Sequence, residues 1–324
     1  MNETAHATTQ PYYDRSTGLI IFGILTIGLG GLAALMCLLM ILGAVIQTTT
    51  AHVPFSTILP GLIIYGVVAV ALVWLGIGSF LAKRWARALM IIFSWSWLIV
   101  GILAIIMMAF VLPKIAANAS ALQGSSHGPP IGNMLYVIFA IEFVIFAFLF
   151  IVLPAIWTYF YSSHHVKGTV HWRDPQPDWT DACPLPVLAF CLWMLFYALT
   201  VLSMIVTAHG VAPFFGIFIT GLAGRTYYVG LAAIFLIAAS LLYRVDLRGW
   251  WLSLFGFLVF VISGIITYSY HDISDLYRLM DYPEDQIQQM QKLGIFDGHS
   301  MAWVTGACLV PFLGYLIFIR RYFR

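Results

Sequence analysis

Charge is scarce in this sequence. Asp, Glu, Lys and Arg make up 9% of its 324 residues, whereas hydrophobic residues make up 62%. A soluble globular domain carries roughly 25% charged residues, which help to keep its surface hydrated. The composition therefore excludes a soluble globule and predicts an integral membrane protein that lies in a lipid bilayer.

Basic runs, close-spaced cysteines and catalytic motifs are also missing. No stretch of five or more Lys and Arg occurs and the formal net charge is only +2, so nucleic acid is not an expected partner. The four cysteines, at positions 37, 183, 191 and 308, stand singly, and zinc and dithiol motifs need closely spaced pairs. We therefore expect free thiols, and the prediction leans away from an enzyme.

Long hydrophobic runs are what the sequence has instead. A helix needs about 20 apolar residues to cross the hydrocarbon core, and eight stretches approach or exceed this length: 18–46, 61–81, 88–112, 131–159, 185–207, 226–243, 249–270 and 301–319. The sequence predicts an all-α integral membrane fold with eight transmembrane helices. Pro- and Gly-broken pieces at 54–60 and 212–224 are predicted to be short interfacial or re-entrant helices.

Basic residues predict the orientation of these spans. Eight spans place most of the 15 Lys and Arg residues on one side of the membrane: Arg15, Lys83, Arg84, Arg87, Lys167, Arg173, Arg244, Arg248, Arg320, Arg321 and Arg324. This side is cytoplasmic by the positive-inside rule. Both termini and the central segment 164–184 are therefore expected in the cytoplasm, and a bacterial protein would lie in the cytoplasmic membrane.

Short motifs recur in the same order in the two halves of the chain. Thr-Ala-His ends at His52 and again at His209, Pro-Phe follows at 54–55 and 213–214, and a basic pair follows at 83/87 and 244/248. Each half holds four predicted spans, so both halves enter the membrane in the same direction. The sequence predicts two parallel four-helix repeats, 1–163 and 185–324, joined by a cytoplasmic linker at 164–184.

Segment 271–300 is acidic and has a helical pattern. Ile273, Leu276, Tyr277 and Met280 form one apolar stripe, and Glu284 opens a second candidate helix. We expect one or two amphipathic helices on the non-cytoplasmic side. The segment is either a docking surface for a partner or a lid on the bilayer interface.

Glu142 is the only carboxylate inside a predicted span. An unpaired carboxylate in hydrocarbon costs a few kcal/mol, so such a residue marks a candidate functional site. The alternative is a neutral Glu that shares hydrogen bonds with a neighbouring helix. No second intramembrane acid or base accompanies Glu142, which argues against a proton relay.

Two groups of histidines are candidates for ligands. His52, His209, His271 and His299 all fall at non-cytoplasmic ends of spans, where they would bind haem or a pigment if they converged, or else form interfacial hydrogen bonds. In the central segment, His164, His165 and His171 accompany Asp and Cys, all of which bind divalent metals. Their spacing matches no standard motif, so a solvated linker is the alternative.

The sequence favours a non-catalytic scaffold, an accessory subunit of a larger membrane complex. Its expected partners are other membrane or extracytoplasmic proteins. Two alternatives stay open: a transporter of small solutes or lipids that uses the seam between the halves, and a haem- or pigment-binding membrane protein.

Overall fold

The structure is a computed structural model, and it describes residues 13–50, 59–122, 131–280, 282–293 and 298–323. Over this part of the chain, seven helices are long and apolar enough to cross a membrane: Ser16–Ile46, Gly61–Phe80, Arg84–Ala109, Val137–Ser162, Leu185–Thr207, Gly221–Tyr243 and Leu247–Tyr270. Helices dominate because a helix satisfies its own backbone hydrogen bonds where water is absent. The prediction of an all-α membrane protein is confirmed at this level.

The first half of the chain folds into long helices: α1 (Ser16–Thr50), α2 (Leu59–Phe80), α3 (Arg84–Leu122), α4 (Ile131–Ala147) and α5 (Leu153–Ser162). A π-helical turn, Phe148–Val152, joins α4 to α5. Helix α1 packs on α2, and α3 packs on both α2 and the α4–α5 helix. A short interfacial or re-entrant helix is predicted at 54–60. Residues 54–58 lie outside the described residues, and Leu59 is the first residue of α2.

The central segment and the second half contain shorter elements as well as long helices. They are α6 (His164–Arg173), a 3₁₀ turn (Trp179–Asp181), α7 (Leu185–Thr207), β1 (Ala212–Phe214), β2 (Ile217–Ile219), α8 (Gly221–Tyr243), α9 (Leu247–Tyr270), α10 (Ile273–Leu279), α11 (Glu284–Leu293), α12 (Gly298–Ile319) and a 3₁₀ turn (Arg320–Tyr322). Helix α9 packs between α8 and α12. Helix α12 covers the eighth predicted span but is not one of the seven helices above, so eight spans stay a prediction.

Residues 212–219 form a β-hairpin. The prediction of a short helix at 212–224 is therefore wrong for residues 212–219. Strands β1 and β2 pair antiparallel, with Phe214 opposite Ile217. The two residues between them, Phe215 and Gly216, both have positive φ, as a type I′ hairpin turn requires. Pro213 also lacks the amide hydrogen that a helix interior needs. Helix α8 then begins at Gly221, five residues before the predicted span.

The sequence predicts one or two amphipathic helices in segment 271–300, and the structure has two short helices between α9 and α12, namely α10 and α11. Ile287 in α11 is buried, whereas Glu284 at the start of this helix is exposed. Helix α11 contacts α3 of the first half. The amphipathic segment therefore packs on the protein itself over part of its length.

Buried side chains form two hydrophobic clusters. One is built from α7, α8, α9 and α12 around Phe235. The other is built from α1, α2, α3, α5 and α6, with Leu188 of α7, around Trp157 and Tyr161, which are completely buried. Tyr243 and Val245 pack against both clusters, so the two cores meet at the end of α8. The division into domains at 164–184 stays a prediction.

The turns after α2 and α8 share one backbone geometry. Ala82 and Val245 both have positive φ, and the following amides of Lys83 and Asp246 each bond to the carbonyl five residues earlier. This is a Schellman motif, in which a helix ends with one residue in the left-handed conformation. By this geometry Lys83 corresponds to Asp246. The match of the basic pairs in the sequence instead makes Lys83 correspond to Arg244, two residues earlier. The four-plus-four repeat therefore stays a prediction.

Candidate functional site

The central segment is bound to the start of α3 by Asp174. Its carboxylate accepts a hydrogen bond from the backbone N–H of Arg84 at 3.1 Å and forms an ion pair with Lys83 Nζ at 3.3 Å. A carboxylate at this place satisfies a free amide of the first helical turn and interacts favourably with the positive end of the helix dipole. Asp174 therefore caps α3 from a distant part of the chain.

Arg84, at the start of α3, binds the rest of the central segment. Its Nη2 pairs with Asp181 Oδ2 at 3.2 Å, and its Nη1 donates to the Pro175 carbonyl at 3.2 Å. Asp181 in turn accepts from the Asp178 amide, which closes the 3₁₀ turn. The Arg84 side chain is 13% exposed and the Asp181 side chain 38%, so this ion pair is partly buried and is screened less than a fully exposed pair.

Helix α6 holds the beginning of α1. His165 Nδ1 accepts from the Tyr13 amide at 3.2 Å, and Thr169 Oγ1 accepts from the Arg15 amide at 3.0 Å. Val166 and Val170 point into the core of the first bundle and are buried. The central segment thus packs as part of the first bundle, and its polar groups are engaged in holding helix ends.

The three histidines proposed as metal ligands all lie on α6. His165 already accepts a backbone hydrogen bond through Nδ1, and His164 is exposed. Burial, followed by the nearby cations Arg84, Lys167 and Arg87, lowers the pKa of His171 below its ordinary value. Across the described ranges, no three His, Cys, Asp or Glu side chains are placed to hold a metal ion.

The cysteines that the structure describes, Cys37, Cys183 and Cys191, are free thiols. Cys183 follows the 3₁₀ turn of the central segment and is buried. This burial raises the pKa of the Cys183 thiol to about 11, so the thiolate that binds metals is scarce at neutral pH.

The histidines proposed as haem or pigment ligands are only partly described. His52 lies outside the described residues, and His299 lies in α12 with its side chain outside the described part. His209 is exposed at the end of α7 and has positive φ. His271 instead contacts the hairpin: its Nε2 lies 3.2 Å from the Gly216 carbonyl oxygen. The structure brings His209 and His271 into no contact within the regions it covers, and a cofactor site stays a prediction.

One face of α9 binds the β-hairpin through side chains spaced four residues apart. Ser263 Oγ accepts from the Phe215 amide at 3.0 Å, and Thr267 Oγ1 accepts from the Gly216 amide at 3.1 Å. His271 continues the row by contacting the Gly216 carbonyl. Sequence reasoning missed this row, although a polar residue at every fourth position of an apolar helix is a readable signal.

A groove of about 520 Å³ lies beside the hairpin and is lined by Ile217, Phe218, His271, Asp275, Arg278 and Leu279. Its charged groups pair with one another. Arg278 lies 3.3 Å from Asp275 and 3.2 Å from Glu284, and His271 lies 3.5 Å from Asp275. These contacts hold α9, α10 and α11 together, so these side chains stabilise the fold.

Glu142 stands apart from these internally paired groups. It is exposed on α4, and its carboxylate has no hydrogen-bond or ion-pair partner among the residues the structure describes. Exposed apolar side chains precede it at Ile138 and Ile141 and follow it at Val144 and Ile145. The structure therefore places an unpaired carboxylate on an apolar, outward-facing helix surface.

Comparisons with protein-family models, with characterised proteins and with solved structures give no match to this chain.

Proposed function

We propose that this protein is a non-catalytic polytopic membrane protein, an accessory or scaffold subunit that packs against other membrane proteins inside the bilayer. One observation carries this proposal. In the most apolar stretch of the fourth span only 6% of the residues are buried, whereas the fifth, sixth and seventh spans reach 39 to 44%. The fourth span thus has a large outer surface available for a neighbouring protein.

The polar groups of the molecule support a structural role. Asp174, Arg84 and Asp181 hold the central segment on α3, and Ser263 and Thr267 hold the hairpin on α9. Groups engaged in this way stabilise helix ends and turns. Glu142 differs, since it is unpaired within the described structure and faces outward.

Native mass spectrometry of the protein extracted gently from its own membranes tests this proposal. A scaffold subunit is expected to appear in a complex with at least one different protein. A bare monomer, or a homo-oligomer alone, would contradict the proposal. The visible absorption spectrum of the same sample tests the haem and pigment alternative, because either group would add a strong band.

A variant sharpens the same experiment. Glu142→Gln keeps the shape of the side chain and removes its charge, and hydrogen bonds to charged groups contribute about 1.5–3 kcal/mol. We expect the fraction of protein in the complex to fall by roughly tenfold or more, since about 1.4 kcal/mol corresponds to a factor of ten. Val70→Gln, at an exposed site on α2, is the control for adding an amide to the membrane surface and is expected to leave the complex intact.

A further inference from the structure

Arg87 lies half-buried one turn after the start of α3, near one end of the third span. Its Nε atom is buried, and no hydrogen bond or ion pair links its guanidinium to any residue that the structure describes. A cation that leaves water loses hydration free energy, and opposite charges or hydrogen bonds must compensate for this loss. The described part of the protein gives Arg87 no direct partner of this kind.

The carboxylates around Arg87 already have partners. Asp181 is near enough for its charge to act on Arg87, but it forms an ion pair with Arg84 at 3.2 Å. Asp174 pairs with Lys83 and accepts from the Arg84 amide. Cations therefore outnumber carboxylates at the start of α3, which leaves a net positive charge there.

Helix α6 adds to this positive charge. Lys167 lies one turn before His171, so both side chains lie on one face of α6, which packs against α3. Burial lowers the pKa of His171 most, and the neighbouring cations of α3 and α6 lower it further. Asp181 opposes these cations, but its effect on the pKa of His171 is the smallest. The electrostatic potential between α3 and α6 is therefore positive.

Exposed aromatic side chains mark this end of the molecule as the level of the lipid headgroups. Tyr159 in α5, Trp172 in α6 and Trp179 in the 3₁₀ turn are 86, 78 and 41% exposed. Tyr and Trp favour the membrane–water interface because their rings are apolar at one end and polar at the other. Lipid phosphates lie at the same level. The distribution of basic residues predicts this side to be cytoplasmic, where anionic lipids are found.

We propose that Arg87 and Lys167 bind the phosphate of an anionic phospholipid at the end of the third span. The planar guanidinium of Arg87 presents parallel N–H groups that match two phosphate oxygens, and Lys167 adds a flexible charge. The phosphate in turn supplies the opposite charge that Arg87 lacks within the described structure. Phosphatidylcholine binds more weakly, because the same positive potential repels its choline cation. This inference does not depend on the proposed function.

Lipid titration of the delipidated, full-length protein in detergent tests the proposal. Phosphatidylglycerol and phosphatidylcholine with identical acyl chains are added separately, and bound lipid is measured by native mass spectrometry. We expect phosphatidylglycerol to bind roughly tenfold more tightly than phosphatidylcholine, since ionised groups form the stronger hydrogen bonds. Equal affinities for the two lipids would overturn the proposal.

Two substitutions remove the proposed ligands separately. Arg87→Gln keeps a hydrogen-bonding side chain but removes the charge, and it should weaken phosphatidylglycerol binding by roughly tenfold or more. Lys167→Gln changes an exposed side chain and should therefore leave the fold intact while it weakens binding by about fivefold. Unchanged binding in Lys167→Gln, or in a folded Arg87→Gln variant, would contradict the assignment of these residues.

Arg248→Gln is the matched control for net charge. Arg248 is exposed in the first turn of α9, and its substitution removes one positive charge, as Arg87→Gln does. We expect the affinity for phosphatidylglycerol to stay within about twofold of the original, because solvent and salt screen a distant exposed charge. A loss as large as that in Arg87→Gln would show a general attraction to positive charge, and it would overturn the proposed site.

A soluble phosphate ester distinguishes the two possible sources of the phosphate. Glycerol phosphate has the chemistry of the headgroup but no acyl chains. We expect phosphatidylglycerol to stay bound when an equal concentration of glycerol phosphate is present, because the acyl chains pack on the apolar surface of the spans. Displacement of the lipid at equal concentrations would make a soluble phosphate ester the ligand and overturn the lipid assignment.

Discussion

At the scale of single residues, Asp174 shows how a side chain from the middle of the chain completes a helix elsewhere. It accepts from the Arg84 amide and pairs with Lys83, which is 44% exposed. Loss of an N-capping side chain costs typically about 1 kcal/mol, whereas an exposed ion pair contributes about 0.2–1 kcal/mol. The cap is therefore the larger contribution of Asp174.

Two substitutions separate these contributions. Asp174→Ala removes both the cap and the ion pair, and Lys83→Gln removes only the ion pair. We expect Asp174→Ala to lower the free energy of unfolding by about 1–2 kcal/mol and Lys83→Gln by clearly less, as measured by thermal unfolding in detergent. Equal losses in the two variants would show that the cap contributes nothing.

At the scale of elements, two of the three glycines of α8 lie in opposite surroundings. A Cβ on Gly224 would overlap the carbonyl oxygen of Gly210, which lies in the turn after α7. A Cβ on Gly230, six residues later in the same helix, would meet no atom within 4 Å. The first glycine therefore allows the turn to approach α8, and the second has no such role within the protein.

These surroundings predict opposite effects of the same substitution. Gly224→Ala should destabilise the protein by about 1–3 kcal/mol, the usual cost of overpacking. Gly230→Ala should be neutral or stabilise it by roughly 0.5–1 kcal/mol, because Ala loses less backbone freedom than Gly when a helix forms. Melting temperatures of the two variants in one detergent compare them directly, and shifts of the same sign and size would contradict the assignment of Gly224.

At the scale of the whole molecule, the number of spans decides on which side of the membrane the two ends lie. An even number places Tyr13 and Arg321 on the same side, and seven spans place them on opposite sides. Both residues are exposed. The distribution of Lys and Arg favours the cytoplasm for both, which requires α12 to cross the membrane as the eighth span.

Cysteine labelling tests this arrangement. Tyr13→Cys and Arg321→Cys are introduced separately into a variant whose four native cysteines are replaced by Ala. A membrane-impermeant maleimide should label both sites in inverted membrane vesicles and neither site in intact cells. Labelling of one site from each side would show an odd number of spans and contradict the eight-span prediction.

The sequence by itself determined the membrane class and most of the long helices. Apolar length is a local property, so the stretches 185–207 and 249–270 could be placed almost to the residue, as α7 and α9 show. The hairpin at 212–219 could not, because its strands are held by bonds to Ser263 and Thr267 about 50 residues away. A short apolar piece does not reveal such distant partners.

The same distinction applies to the candidate site. Sequence alone made Glu142 a candidate, since a lone carboxylate in an apolar run is visible without any structure. Only the tertiary structure decided that Glu142 faces outward and that Asp174, Asp181 and His165 are used in holding helix ends. The physical reason is that the partner of a polar side chain depends on which helices pack together, and that packing is a property of the whole chain.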